Sequence, residues 1–221
     1  MYIIKFVNED NNISYNGEFI LEDRINYVMG FDKVSRDKLR VNNSDVICSG
    51  LSPCPFAELM ENDPEAVFLL MRTNTICRGK GFNDVIKHRV ISFPSESMVL
   101  PGDLNLLGKN IVEFYSSRGF IACYGVHRDT YNYHLHILIN TTAYTNGYKM
   151  NIYHEYNYIH NIVRKWEKNY MNIKLSNPKT LEEYSNKLFG DDCVPAYKTG
   201  LGGREQIKSY REYNEVHKNS R

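Results

Sequence analysis

Long hydrophobic runs are missing from this chain of 221 residues. No apolar stretch approaches the ~20 residues that a membrane-spanning helix needs, so no membrane partner is expected. The opening MYIIKFVNED has neither a basic region nor a small-residue cleavage site, which argues against a signal peptide. Cysteine is scarce. Cys48, Cys54, Cys77, Cys123 and Cys193 are odd in number and show no CxxC spacing. That pattern excludes a disulfide framework and a cysteine zinc knuckle, and it fits reduced thiols in a cytoplasmic protein. Charge of one sign is lacking too: 27 Lys and Arg face 26 Asp and Glu, for a net charge of +1. The composition is therefore not that of a strongly basic nucleic-acid protein, although phosphate neutralisation can be local. No internal repeat is found.

Apolar material is ample. Hydrophobic residues make up 42% of the chain, enough to bury a sizeable core. The length suits one domain, taken as residues 1–195, followed by a basic polar tail over 196–221 that is mobile or ordered by a partner. Basic residues cluster at Lys33, Arg36, Lys38 and Arg40, and again at Lys198, Arg204, Lys208, Arg211, Lys218 and Arg221. Ordinary solvated charge is the competing reading of both clusters.

Periodicity gives the element order. Tyr2–Val7 reads as a strand. Leu21–Gly30 reads as a helix with Leu21, Ile25, Val28 and Met29 on one face and Gly30 as its stop. Residues 42–65, rich in Ser, Pro and Asn, read as a long connection with room for a short helix. Val67–Arg72 and Val85–Phe93 read as strands. A helix starts at Pro101-Gly102-Asp103, carries Leu104, Leu107, Ile111, Phe114 and Tyr115, and ends at Gly119. Phe120–His127 and Tyr133–Asn140 read as strands. Ile152, Tyr156, Ile159, Val163, Trp166 and Tyr170 then step along a long amphipathic helix. This order predicts an α+β fold, an antiparallel sheet covered by helices.

The segment Tyr133-His134-Leu135-His136-Ile137-Leu138-Ile139-Asn140 alternates. On a strand, Leu135, Ile137 and Ile139 share one face while His134 and His136 share the other. The preceding strand matches these faces if Val126 pairs with Leu135, Tyr124 with Ile137 and Ala122 with Ile139. His127 then lies across from His134 and Gly125 across from His136. The glycine would leave room there for a metal and a phosphate. Three imidazoles on one face point to a divalent-ion site with open coordination positions, where isolated histidines would not. From these ligands alone Zn²⁺ or another transition metal is favoured. Asp129 and Asn132 sit in the connecting turn. Asp129 has three readings: an acceptor for a histidine N–H, an aid to a nucleophile, or a turn residue.

The pattern His127-x-Asp129-x-x-Asn132-x-His134-x-His136-x-x-x-Asn140 resembles the third motif of plasmid mobilisation relaxases of the MOBP type, within the MobA/VirD-like group of HUH endonucleases. Arg89-Val90-Ile91-Ser92-Phe93-Pro94 resembles a strand these proteins carry upstream, and Asn26-Tyr27-Val28 followed by Lys33 resembles their first motif. The resemblance runs from about residue 20 to 140 and is only general over 42–85. It implies a five-stranded antiparallel sheet flanked by helices, with the histidines on its central strands. It implies that residues 1–195 form a relaxase nuclease domain that nicks one DNA strand at a transfer origin. A 5′-phosphotyrosyl intermediate and a free 3′ hydroxyl would result, using Mg²⁺ or Mn²⁺. The implied partners are single-stranded DNA or an origin hairpin, accessory DNA-binding proteins and a coupling protein. Candidate DNA contacts are Lys33, Arg36, Arg89, Asn132, Asn140 and Arg204.

Seventeen tyrosines leave the nucleophile open by composition. Tyr27 points away from the Leu21/Ile25/Val28/Met29 stripe, toward the wet face of its helix. A free tyrosine, with a pKa near ~10, needs a nearby base or cation to attack at neutral pH; Asp129 is a candidate, and the basic run from Lys33 could hold phosphates. Rolling-circle replication initiators instead carry their tyrosine downstream, where this chain has Tyr153, Tyr156 and Tyr158. Of these, Tyr156 lies on the apolar stripe and is expected in the core. Two further readings are a non-catalytic DNA-binding module of the same fold, which should show broken histidine ligands, and a metal-dependent hydrolase of another substrate, which needs no tyrosine.

Overall fold

The computed structural model describes residues 2–30, 46–55, 57, 63–94, 99–128 and 132–176. Five strands form one antiparallel sheet: β1 (Ile3–Phe6), β2 (Val46–Leu51), β3 (Ile86–Phe93), β4 (Ala122–His127) and β5 (Tyr133–Asn140). Their order in the sheet is β1-β3-β5-β4-β2. Five helices accompany it among the described residues: α1 (Val7–Asp10), α2 (Glu18–Met29), α3 (Pro64–Cys77), α4 (Pro101–Ser116) and α5 (Glu155–Ser176). The fold is the expected α+β arrangement, and β5 lies at its centre.

Both sheet faces are covered. On one, Ile91, Phe93, Ala122, Tyr124, Val126, Leu135, Ile137 and Ile139 pack with Leu104, Leu107 and Ile111 of α4 and Ile159, Val163 and Trp166 of α5. On the other, Ile86, Cys123 and Leu138 pack with Leu21, Ile25, Val28 and Met29 of α2 and Val67 and Met71 of α3. Each fully buried aliphatic side chain stabilises such a layer by roughly 1.5–3 kcal/mol. Helix α2 ends as its sequence predicts, with Gly30 in the left-handed conformation at φ +86° and its N–H bonded to the Asn26 carbonyl. It begins three residues before Leu21. Cys48, Cys54, Cys77 and Cys123 are reduced.

Besides the short α1, which the sequence reading lacks, two elements differ from it. Val67–Arg72, read as a strand, lies inside α3. The Asp63 side chain accepts from the backbone N–H groups of Glu65 and Ala66 (3.1 and 3.4 Å), and Pro64 occupies the first helical turn. Such a cap contributes about 1 kcal/mol and overrides the β-branched and aromatic run that follows. Buried Val67, Met71 and Thr75 then fall at helical spacing. The region 42–65, read as a connection, contains β2. Its Ser49-Gly50 pair masks the strand, because Gly50 lies opposite Tyr124 and a Cβ there would meet the Tyr124 ring. The sequence thus gives up β-propensity to seat a buried aromatic ring.

A buried ion pair ties the first of these layers together. Arg89 on β3 is 1% exposed. Its guanidinium donates to both Glu155 carboxylate oxygens (2.9 and 3.0 Å) and to Glu9 (2.8 and 3.2 Å), and Tyr115 donates to Glu155 at 2.6 Å. The Phe6 ring lies 4.0 Å from the Arg89 guanidinium carbon. Arg89 therefore links α1, β3, α4 and α5 from within. The expectation that it contacts DNA phosphates fails for that reason.

Candidate active site

The hairpin β4–β5 has the register predicted from its matched faces. Val126 pairs with Leu135, Tyr124 with Ile137, Ala122 with Ile139, His127 with His134, and Gly125 with His136. His127, His134 and His136 accordingly share the sheet face that α2 covers. Ring centroids are 4.3 Å apart for His127 and His136 and 6.1 Å apart for His134 and His136. His127 and His136 are buried, and His134 is half-buried.

Gly125 serves a purpose other than the one its position suggested. A Cβ built on it would fall inside the contact radius of the Val28 carbonyl oxygen and 2.9 Å from its carbonyl carbon. The last turn of α2 therefore sits directly on the strand, in the space that the sequence reading had reserved for metal and phosphate. There the His127 Nε2–H donates to the Val28 carbonyl at 2.9 Å. This bond fixes the helix turn that carries Tyr27. The Tyr27 ring lies 5.0 Å from the His127 ring and 5.4 Å from the His136 ring, edge-on to the latter at 86°. Tyr27 is 36% exposed. It is exposed, as the helical wheel implied, and its ring also leans on the histidines.

A fourth histidine joins the group. His88 on β3 lies two residues from Val90, which pairs with His136. The His88 Nε2 and His136 Nδ1 are 3.0 Å apart. Sequence reasoning missed His88; its place on the histidine face follows from counting back from Val90 once the β3–β5 register is known. Burial pushes His136 down to about 2, with the neighbouring His127, His88 and His134 charges adding to it. Burial also pushes His88 down to about 3, helped by Arg24, Arg89 and His127. Both rings are therefore neutral at physiological pH. Arg24, one turn before Tyr27 on α2, is a cation of this site that the sequence reading did not single out.

The donor chemistry fits a divalent ion: three imidazoles on one buried face, His136 held neutral and so able to ligate. Their nitrogens do not converge as placed. Among the described residues no group of three or more His, Cys, Asp or Glu side chains is arranged to hold an ion. His127 would have to ligate through Nδ1, or release Val28 to use Nε2.

The remaining expected site residues divide clearly. Asn132 is half-buried at the foot of β5. Asn140 is fully buried at its other end. Its amide donates to Thr75 Oγ1 (3.1 Å) and the Val85 carbonyl (3.4 Å) and accepts from Asn74 (2.8 Å). It locks α3 to the sheet and cannot reach DNA, which corrects that expectation. Lys33, Arg36, Asp129 and Arg204 lie outside the described residues. The downstream tyrosines belong to the opposite side of the sheet, where α5 packs. Tyr156, expected in the core, is 49% exposed, its ring against Phe6 and His160. The apolar stripe narrows to Ile159, Val163 and Trp166, and Glu155 takes the buried place in the first turn. Tyr153 and Tyr158 are exposed on the same side.

A family model described as "Relaxase: MobA/VirD2-like, nuclease domain" matches residues 55–171, more than half of the chain, including the whole histidine hairpin. The chain belongs to this relaxase family. A search of the curated proteins gave no match. The matched segment begins after α2, so the place of Tyr27 rests on geometry and on the first-motif resemblance. A relaxase nuclease domain nicks DNA and acts on single strands. No helix among the described residues is long and apolar enough to cross a membrane.

Proposed function

We propose that this relaxase nicks one DNA strand at a transfer origin by transesterification, with Tyr27 as nucleophile, in conjugative mobilisation within the cytoplasm. The observation that carries the reading is the placement of the Tyr27 ring against His127 and His136, held by the His127–Val28 bond over Gly125. The Tyr27 hydroxyl oxygen attacks the scissile phosphorus in line. The phosphorus–O3′ bond breaks, the tyrosine is left esterified to the 5′ phosphate, and the 3′ oxygen leaves with the electron pair of that bond and takes up one proton, equivalent to the one Tyr27 gives up, to become the free hydroxyl. Asp129 accepts the tyrosine proton or orients a histidine. One phosphodiester replaces another, so the reaction can run backward and rejoin the strand. His127, His134 and His136 would hold a divalent ion, Mg²⁺ or Mn²⁺, with Zn²⁺ or another transition metal as the alternative. When bound, the ion supplies positive charge at the scissile phosphate and at the pentacoordinate transition state.

Lys33, Arg36, Asn132 and Arg204 are the proposed DNA contacts, the last from a tail over 196–221 beyond a nuclease unit of 1–195. Binding to single-stranded DNA or an origin hairpin should weaken steeply with salt, as counterion release requires. Accessory DNA-binding proteins and a coupling protein are proposed partners. A replication-initiator mechanism is disfavoured by Tyr153, Tyr156 and Tyr158, which lie across the sheet from the histidines. The test is incubation with Mn²⁺ and a single-stranded origin oligonucleotide. A covalent protein–DNA adduct that survives denaturation is expected. Cleavage that leaves a protein-free 5′ phosphate would instead make the protein a hydrolase.

A further inference from the structure

We infer that His88 is a positioning residue for His136, holding that ring in the tautomer that presents Nε2 as a ligand. The inference rests on the reading of His136 as an ion ligand. The 3.0 Å separation between His88 Nε2 and His136 Nδ1 is that of a hydrogen bond, with one proton between the two ring nitrogens. If His136 ligates through Nε2, its lone pair must be there and its proton on Nδ1. His88 Nε2 is then the acceptor, and the His88 proton sits on Nδ1.

Two further observations support a directed role. His88 is 4% exposed, and its Nδ1 is buried without a hydrogen-bond partner. Native interiors rarely leave a polar atom in that state, and an apolar residue would serve packing against Ile86 and Leu138 better. The strand carrying it is also pinned. The buried Asn8 side chain accepts from the His88 backbone N–H (2.7 Å) and donates to the Ile86 carbonyl (3.2 Å). His88 therefore projects from a fixed backbone toward His136. Ligating histidines ordinarily donate their other N–H to a carboxylate, carbonyl or water, and loss of that acceptor weakens metal binding. In this chain a neutral imidazole takes the acceptor's place.

The test measures Mn²⁺ affinity by calorimetry on the whole protein, with thermal melting as the folding control. His88→Phe removes the acceptor and keeps a ring, and His88→Gln keeps an acceptor oxygen. The expected result is a loss of about 10–100-fold in Mn²⁺ affinity for His88→Phe, largely recovered in His88→Gln. Wild-type affinity in a folded His88→Phe protein overturns the inference and leaves the ion-site reading standing. Absence of Mn²⁺ binding by the wild type removes both. A second measurement needs no variant. Histidine ¹⁵N spectra of the Zn²⁺-loaded wild type should show His136 protonated at Nδ1 and ligated at Nε2. Ligation of His136 through Nδ1 overturns the inference.

Discussion

Gly125→Ala perturbs the contact on which the site depends. The added methyl would lie 2.9 Å from the Val28 carbonyl carbon and closer still to its oxygen. Ordinary contact needs ~3.5–4.0 Å. The obstacle is backbone, so no rotamer change relieves it, and the last turn of α2 must lift by about 1 Å. Overpacking of this kind costs ~1–3 kcal/mol, and loss of the His127–Val28 hydrogen bond adds ~1 kcal/mol. The sum, ~2–4 kcal/mol, should lower the melting temperature by ~5–15 °C at this chain length. The catalytic effect should be larger than the loss of folded protein explains, because Tyr27 rides on the displaced turn. Misplacing a reacting group by ~1 Å can cost about 100-fold in rate. The assay is the initial rate of adduct formation on an origin oligonucleotide, at a temperature where the variant is fully folded. A Gly125→Ala protein with wild-type melting and wild-type rate would refute the claim that Gly125 seats α2 and, through it, Tyr27.

Two more outcomes are expected. Arg89→Ala should destabilise the protein by about 3–5 kcal/mol, because Glu155 would be left buried and unpaired. The salt dependence of DNA binding by the folded variant should stay unchanged; a flatter dependence would restore Arg89 as a phosphate contact. Acid should destabilise the fold through His88 and His136, whose folded values of about 3 and about 2 lie below the ordinary 6.5. As pH falls below 6.5 the unfolded chain takes up protons that the folded chain refuses, so stability is full above that value and declines toward pH 3. Each histidine contributes up to ~1.4 kcal/mol per pH unit, and the two together, coupled by contact, should remove about 2–4 kcal/mol between pH 7 and pH 5. Urea midpoints across that range check the loss, and a His88→Phe protein with an unchanged slope would contradict it.

The legible parts of this fold were those fixed by strand alternation. Leu135, Ile137 and Ile139 against Ala122, Tyr124 and Val126 admit one register that buries both sets, and the structure has it. Leu21, Ile25, Val28 and Met29 likewise mark the buried face of α2. What was lost depended on partners distant in sequence. Val67–Met71 has the composition of a strand, and only the Asp63-Pro64 start distinguishes it as a helix. Gly50 weakens β2 on paper because the ring it accommodates, Tyr124, is 74 positions away. Arg89 and Asn140 looked like ligand-binding residues because polar groups near a motif invite that reading. Glu155, Glu9, Asn74 and Thr75, which satisfy them in the interior, come from other elements. Gly125 was recognised as a close-approach position, but what approaches is the Val28 carbonyl. His88 sits alone in its segment and joins the histidines only through the pairing of β3 with β5.

Identification of the residue that carries DNA after cleavage tests the central claim most directly. The wild-type protein is reacted with an origin oligonucleotide, digested, and the nucleotide-bearing peptide sequenced by mass spectrometry, with Tyr27→Phe in parallel. The account predicts the phosphodiester on Tyr27 and no adduct in the variant, while DNA and Mn²⁺ binding persist, because one partly exposed hydroxyl is lost and the ring packing on His127 and His136 remains. A nucleotide mapped to Tyr153, Tyr156 or Tyr158, or a full adduct yield from Tyr27→Phe, would contradict it.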